Sequence, residues 1–395
     1  MATPPGLFAR ELATLDLPAR SAAAERATAA QVEAVLRKAG AGGPRGPLPT
    51  RPAAGGRLSL DDLAVLLSPA ATGRLEELAV AAREVTLRRF GRAVRLFAPL
   101  YVSNACLSSC TYCGFARGLE VARRTLSVDE VEAEAKLLAD RGFRHILLVS
   151  GEHRIEVSAD YLVAVVERLR PTFPSIGIET QTWSDDTYAR LVAAGLEGVV
   201  HYQETYDRER YRQVHVAGWK RDFDRRLSSF ERAAEAGVRR LGLGVLLGLA
   251  PDWRADVLAL AAHARFLAQR YWKTEVSAAL PRIKPSASGF APQVVVDDAE
   301  FVQAHAALRL FEPDLALSLS TREPPALRDG LVRIAVTTMS AGSSTEPGGY
   351  GRPGTAQEQF SISDERSPAD IAAMLTAAGY EPVWKDAFPL VEAGG

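Results

Sequence analysis

The chain has 395 residues, a formal net charge of −1 at pH 7 and only three cysteines. Without a surplus of basic residues it has no face that would attract a phosphate backbone, so we expect a small-molecule ligand and no nucleic-acid partner. No apolar run reaches the ~18 residues of a membrane span, and the first residues lack the apolar core of a signal peptide, so we expect no membrane association and a cytoplasmic protein.

The first part of the chain, residues 1–88, is rich in Ala, Arg, Leu and Glu. Apolar residues recur at helical spacing in Ala30–Ala39 and Asp61–Leu67, so this part is predicted to be a helical extension. Between them, Gly40–Arg57 is dense in Gly, Pro and Ala without an apolar period, which is typical of a loop or linker. We expect residues 89–395 to form a second unit.

From about Val94, short apolar or β-branched runs alternate with amphipathic stretches of helical length, such as Val128–Arg141. Alternating βα units are typical of a parallel sheet, and eight of them favour closure into a (β/α)8 barrel of the TIM type. The predicted strands are Val94–Val102, His145–Ser150, Ile176–Gln181, Gly198–Gln203, Leu241–Gly248, Val276–Leu280, Leu315–Ser320 and Ile334–Ser340.

Residues of unusual chemistry stand at or just after the ends of seven of these runs. Because the carboxyl ends of parallel barrel strands meet at one mouth, we expect the active site there. The segments concerned are the loop that contains Cys106, Cys110 and Cys113 (the cysteine loop), Ser150–His153, Glu179–Gln181, Tyr202–Glu204, Pro281–Arg282, Ser320–Glu323 and Ser340–Ser343.

All three cysteines lie in one stretch, YVSNACLSSCTYCGF at residues 101–115, with the spacing CxxxCxxC. Cys106, Cys110 and Cys113 could ligate three irons of one [4Fe-4S] cluster, since such clusters take thiolates from compact loops. The fourth iron is then free to bind the amino and carboxylate groups of S-adenosylmethionine (SAM). Reductive cleavage of SAM at that iron releases a 5′-deoxyadenosyl radical. The pattern therefore predicts a radical SAM enzyme.

Other interpretations of the cysteines remain. A structural zinc site needs four ligands, and His145 and His153 fall outside the compact spacing of such sites. Incidental cysteines are usually buried in apolar runs, unlike these. A non-catalytic iron-sulfur sensor or scaffold, with three Cys and one non-Cys ligand, stays open.

The cysteine motif and the eight-unit pattern together resemble the aromatic amino acid lyases among radical SAM enzymes, in particular the 2-iminoacetate synthases of thiamine biosynthesis. The similarity runs from about Tyr101 to Asp386 and includes LLVSGEH, YQETY, LGLGVLLGL, LSLSTRE, PGGY, EQFSISDER and PVWKD. It implies that L-tyrosine is split at its Cα–Cβ bond into 2-iminoacetate (dehydroglycine) and p-cresol. It further implies thiazole synthase as a possible partner and a flavodoxin or ferredoxin-type reductant.

The resemblance also suggests residues that bind SAM. Gly151 and Glu152 match the segment that binds the SAM amino group, for which a carboxylate is a natural acceptor. Glu179 and Gln181 could bind the ribose hydroxyls or the methionine carboxylate, and Gly242–Gly248 would let the backbone approach the nucleoside. For Glu179, Gln181 and Gly242–Gly248, the alternative is a role in simple strand packing.

For the substrate, Arg322 is predicted to grip the tyrosine carboxylate through two parallel hydrogen bonds. Ser340 is a plausible second donor, and Tyr101 could pack on SAM or on the substrate. The alternative for Arg322 is a surface salt bridge with Glu323. His215 could shuttle a proton or be a scaffold residue.

Two related lyases are rivals. The enzyme that makes carbon monoxide and cyanide from tyrosine carries a further cysteine motif near its C-terminus, whereas no Cys follows Cys113 here. A tryptophan lyase that makes 3-methyl-2-indolic acid stays open, because only the shape of the pocket separates indole from phenol. The chain also departs from the family pattern in reading IETQTW after the third run and ending in DAFPLVEAGG.

Overall fold

The computed structural model describes residues 6–40 and 57–384. The interior of the predicted linker Gly40–Arg57 lies outside the described residues, and so does the tail DAFPLVEAGG. The division into residues 1–88 and 89–395 stays a prediction.

In the described part of the chain, six helices precede the first strand, as the apolar spacing predicts. They lie along the outer helices of the barrel: α1 and α2 pack on α13 (Trp253–Arg270), and α6 packs on α14 (Asp298–Phe311). The extension therefore covers a flank of the barrel. The six are α1 (Leu7–Leu12), α2 (Leu17–Ala24), α3 (Ala29–Gly40), α4 (Leu60–Leu66), α5 (Pro69–Thr72) and α6 (Leu75–Phe90).

The first helix of the extension is attached by stacking and by charge-assisted hydrogen bonds. The ring of Phe8 stacks on His263 of α13 with 4.0 Å between centroids. The N–H groups of Leu7 and Phe8 donate to the carboxylate of Glu231 at 3.0 and 3.1 Å. An acidic partner suits the free N–H groups at the start of a helix.

Eight parallel strands follow one another around a closed barrel, which confirms the predicted fold. Each pairs with the next along the chain, and β1 pairs with both β2 and β8 to close the ring. The strands are β1 (Ala93–Ser103), β2 (His145–Ser150), β3 (Ser175–Glu179), β4 (Gly198–Glu204), β5 (Arg240–Val245), β6 (Glu275–Ala279), β7 (Ala316–Leu319) and β8 (Thr338–Ser340).

The last strands differ from the prediction for local reasons. Residues 334–336 are apolar but not extended, because their N–H groups all bond to the carbonyl of Leu331 at the end of the preceding helix. The sequence pattern also missed a ninth strand, β9 (Glu381–Val383), which pairs with the outer end of β1 beyond the barrel. It is three residues long and contains Pro382, so its alternation carries no signal.

The remaining helices surround the barrel, and side chains cap most of their N-termini. Ser127, Asp297 and Ser367 each form a capping box with the acidic residue three positions on. These helices are α7 (Val128–Asp140), α8 (Ala159–Leu169), α9 (Asp185–Ala194), α10 (Arg208–Val214), α11 (Phe223–Leu227), α12 (Ser229–Glu235), α13, α14, α15 (Pro325–Val332) and α16 (Pro368–Ala377), with a 3-10 turn at Trp219–Arg221.

Candidate functional site

The three cysteines lie on the loop that leaves β1 at the mouth of the barrel. The guanidinium of Arg123 donates to the carbonyls of Asn104, Phe115 and Ala116, at 2.7 Å each. Gly151 fits against this loop only because it has no side chain, since a Cβ would lie 2.3 Å from the carbonyl oxygen of Ala105. The loop is therefore held in one conformation by its neighbours.

Hydrogen bonds and burial give the three thiols the surroundings of cluster ligands. The N–H of Ser108 donates to Sγ of Cys106 and the N–H of Phe115 to Sγ of Cys113, at 3.4 Å each. Burial raises the pKa of all three thiols, that of Cys106 to about 11, and the charge of Cys113 raises the pKa of Cys106 and Cys110 further. Bound iron would counter this charge, so the donor set fits a cluster that takes thiolates.

No group of three or more His, Cys, Asp or Glu side chains in residues 6–40 and 57–384 converges on one metal ion. Each thiolate of a cubane binds a different iron, so the cysteines need not converge. His215 lies beside Cys110 through a backbone bridge. Its Nδ1 lies 2.8 Å from the carbonyl of Tyr211 and its Nε2 2.8 Å from the hydroxyl of Tyr112. The ring thus supports Tyr112, in line with the scaffold alternative.

Glu152 directly follows Gly151 and is buried beneath the cysteine loop. One carboxylate oxygen accepts from the hydroxyl of Ser108 at 2.9 Å, and the other lies 3.1 Å from the guanidinium of Arg226. Its backbone carbonyl accepts from the N–H of Leu107 at 2.8 Å. The sequence predicts that this carboxylate is free to accept from SAM. In the structure both of its oxygens already have protein partners, so the carboxylate stabilises the cysteine loop. Its contact with SAM stays a prediction.

Two further carboxylates lie where β3 and β4 end. Burial and the charge of Glu204 raise the pKa of Glu179 to about 7, against the opposing influence of Arg322 and Lys220. Glu204 has a left-handed backbone with φ of 71° and lies 2.6 Å from Nζ of Lys220. Such backbone strain costs about 1–3 kcal/mol and is typical of functional sites.

Gln181 lies deeper than the sequence suggests. Its side-chain N–H donates to the carbonyl of Val157 at 2.7 Å, and its Oε1 is buried without a partner in the described structure. The side chain thus bridges the segments after β2 and β3, and its role toward SAM stays a prediction.

Arg322 is not salt-bridged to Glu323, because Arg282 takes that carboxylate, with a 3.0 Å contact from its Nε. The guanidinium of Arg322 instead lies 3.3 Å above the ring of Phe360. In the described ranges it has no ion pair within 4 Å, so a carboxylate can still approach its fork. Its charge lowers the pKa of Glu179, which places it near that carboxyl.

Tyr101 and Ser340 lie at the same mouth, on β1 and β8. The hydroxyl of Tyr101 donates to the amide oxygen of Gln359 at 2.7 Å, and that amide reaches Sγ of Cys113 at 3.9 Å. Ser340 is buried, and its carbonyl accepts from Arg328, itself paired with Asp364. Tyr101 thus connects the cluster loop to the C-terminal part of the barrel.

The glycines of β5 make room for neighbouring side chains. A Cβ at Gly244 would lie 2.3 Å from the ring of Tyr202, and one at Gly242 would lie 2.9 Å from Val200. Strand packing, the alternative for these positions, accounts for both. Tyr202 fills the barrel interior, where burial raises its pKa.

Lys220, Arg226 and Gln359 are among the residues of the site that sequence reasoning missed. Lys220 and Arg226 come from the long insertion between β4 and β5, which has several basic residues and no period that marks the inward ones. Gln359 lies within the conspicuous segment EQFSISDER, which could have drawn attention to it.

The barrel and the three-cysteine loop define a radical SAM enzyme. Residues 100–261 match the radical SAM superfamily, and residues 279–381 match the Biotin and Thiamin Synthesis associated domain. The chain is 43% identical to 2-iminoacetate synthase of Escherichia coli over 330 residues, 84% of this chain and 88% of that protein. It is 42% identical to the Salmonella typhimurium enzyme, over 83% and 87%. The chain therefore belongs to the 2-iminoacetate synthase family.

Solved structures share the fold of this chain. The [FeFe]-hydrogenase maturase HydG superposes with a TM-score of 0.85 at 29% identity, covering 95% of this chain and 80% of that one. HydG from Carboxydothermus hydrogenoformans gives 0.84 at 32% identity, covering 96% and 85%. As a radical SAM enzyme, the protein uses a [4Fe-4S] cluster and SAM. In the described ranges, no helix is long and apolar enough to cross a membrane.

Proposed function

We propose that this protein is a carbon-carbon lyase that cleaves the Cα–Cβ bond of L-tyrosine, yielding 2-iminoacetate and p-cresol for thiamine biosynthesis. The observation that carries the proposal is the guanidinium of Arg322, which has no carboxylate partner among residues 6–40 and 57–384 and lies on the same barrel mouth as the three-cysteine loop. When bound, the cluster and SAM supply the 5′-deoxyadenosyl radical. The curated relatives, 2-iminoacetate synthases, support the reaction class.

The residues of this chain hold the substrate for that chemistry. Arg322 takes the tyrosine carboxylate in its fork, and the ring of Phe360 keeps the guanidinium flat beneath it. Ser340 adds a hydroxyl donor from β8. Tyr101 packs beside the reactants, with its hydroxyl held by Gln359. Fixing the amino acid in this way lowers the entropic part of the barrier.

Gly151, Glu152, Glu179 and Gln181 are the proposed SAM contacts. Gly151 and Glu152 touch the cysteine loop, so their backbone would lie close to a cluster held by the three cysteines. With a pKa of about 7, Glu179 can donate to a carboxylate when protonated or accept from a hydroxyl when ionised. The amide oxygen of Gln181 lacks a partner among the described residues, so it can accept a further hydrogen bond.

The proposal includes two partner proteins and a cellular location. The product imine passes to a thiazole synthase, and a flavodoxin or ferredoxin-type protein supplies the electron, in the cytoplasm. The name of the two relatives, 2-iminoacetate synthase, supports the product imine. Because 2-iminoacetate is an imine of a small acid, it hydrolyses in water, which favours direct consumption.

The test is anaerobic reconstitution of the cluster, followed by addition of SAM, dithionite and either tyrosine or tryptophan. We expect 5′-deoxyadenosine together with p-cresol, and p-cresol only with tyrosine. An indole product from tryptophan would assign the rival substrate. A fully loaded cluster that forms no 5′-deoxyadenosine would instead favour the sensor or scaffold.

A further inference from the structure

An exposed surface on the outer side of the cysteine loop has no role in the proposed cleavage. Its apolar members are unusually open: Ile155 is 80% exposed, Val216 54% and Trp219 45%. Large exposed side chains of this kind mark interaction surfaces when they lie together. We call this surface the loop face and define it by Arg117, Arg154, Ile155, Val216, Trp219, Arg221 and Arg225.

The loop face lies directly on the segment between Cys106 and Cys110. The N–H of Ser109 donates to the carbonyl of Ala217 at 2.9 Å, and a Cβ on Gly218 would lie 2.5 Å from Cα of Ser108. An open groove of about 570 Å³ runs over this contact, lined by Leu107, Arg117, Gly218, Trp219, Arg221 and Asp222. A protein bound in the groove therefore approaches the cluster ligands closely.

The charge of the face is positive, although the whole chain carries only −1. The guanidiniums of Arg154 and Arg225 both lie over the ring of Trp219, at 3.9 and 4.8 Å from its centroid. Nε of Arg154 is buried without a partner among the described residues. Asp222 caps α11, and two exposed acids lie close in sequence to members of the face: Glu156 beside Ile155, and Glu120 three residues after Arg117.

We propose that the loop face is the docking site of an acidic one-electron carrier protein of the flavodoxin type. This rests on the proposed function, because radical SAM chemistry consumes one electron per SAM cleaved. The flavin of the carrier loses one electron and the cluster gains it. A Trp and several Arg side chains at the centre of a contact are typical of interface hot spots, and complementary charge speeds encounter.

The test measures reduction of the cluster in the full-length holoenzyme, without tyrosine. Fully reduced flavodoxin is mixed anaerobically with the enzyme, and loss of visible cluster absorbance gives a second-order rate constant. The test variant is Arg117→Glu/Arg221→Glu, which reverses two exposed charges at the groove. The matched control is Arg83→Glu/Arg88→Glu, which reverses two exposed charges on α6. Dithionite, a small donor, serves as the second reductant.

We expect the test variant to lower the rate with flavodoxin by about tenfold or more at low salt, as expected for lost electrostatic steering. The rate with dithionite and the effect of the control variant should stay within about twofold of the wild type. Calorimetric binding of oxidised flavodoxin should weaken in parallel. An equal loss with dithionite, or an equal effect of the control, overturns the proposal. Since tyrosine is absent, failure of tyrosine cleavage would not affect this result.

Discussion

Replacing Arg322 with glutamine should impair the use of tyrosine and spare the cleavage of SAM. The guanidinium contacts the ring of Phe360 and pairs with no carboxylate among the described residues. Its loss therefore breaks no ion pair among the described residues, and the free energy of unfolding should change by only about 1 kcal/mol, the range of a cation–π contact. A defect in catalysis can then be attributed to the substrate.

The size of the defect follows from the two hydrogen bonds that the fork would make. Hydrogen bonds to charged groups contribute roughly 1.5–3 kcal/mol each, and glutamine retains one neutral donor worth about 1 kcal/mol. The net loss is roughly 2–5 kcal/mol, or about 30- to 5,000-fold in kcat/KM. Arg322→Lys keeps the charge without the fork, so its kcat/KM should lie between those of the wild type and Arg322→Gln.

The assay follows p-cresol against tyrosine concentration and 5′-deoxyadenosine in the absence of tyrosine. The rate of p-cresol formation should fall, and the rate of 5′-deoxyadenosine formation should stay unchanged. Because the charge of Arg322 lowers the pKa of Glu179, its removal should raise that pKa above about 7. Any dependence of the rate on this carboxyl would then move to higher pH. An equal loss of SAM cleavage without tyrosine would remove Arg322 from the substrate role.

Four further predictions concern the fold and the cluster. Gly244→Ala should lower the stability by about 1–3 kcal/mol in denaturant unfolding, since its Cβ would clash with Tyr202. Gly330→Ala, with open space in α15, should raise it by about 0.5–1 kcal/mol. Burial raises the pKa of Asp256 to about 7 from 3.8, so stability should fall as pH rises between these values. Asp256→Asn should remove that slope, at most about 1.4 kcal/mol per pH unit. Cys110→Ser should abolish 5′-deoxyadenosine formation and leave the circular dichroism spectrum unchanged.

Each of these predictions has an opposing outcome. If Gly244→Ala and Gly330→Ala change the free energy of unfolding equally, the clash at β5 is relieved without cost. An unchanged pH slope in the asparagine variant would assign the slope to another group. Undiminished 5′-deoxyadenosine from the serine variant would remove that cysteine from the cluster.

How far the site could be predicted depended on whether its parts are local in sequence. The three thiols stand four and three positions apart in the sequence, so a single loop must bring them together. Arg322 and Ser340 could be proposed because each stands at the end of a predicted strand, and parallel strands end at one mouth. Their neighbours could not be found in this way.

The sequence by itself determined the (β/α)8 barrel, the helical extension and the cluster-binding loop. Each depends on short-range patterns: apolar periods, helix caps and cysteine spacing. Only the tertiary structure decided that Lys220 pairs with Glu204, that Arg226 pairs with Glu152 and that the extension covers a flank. The physical reason is that the chain has 47 Lys and Arg residues. Long-range packing alone removes a few of them from water and forces them to find a carboxylate.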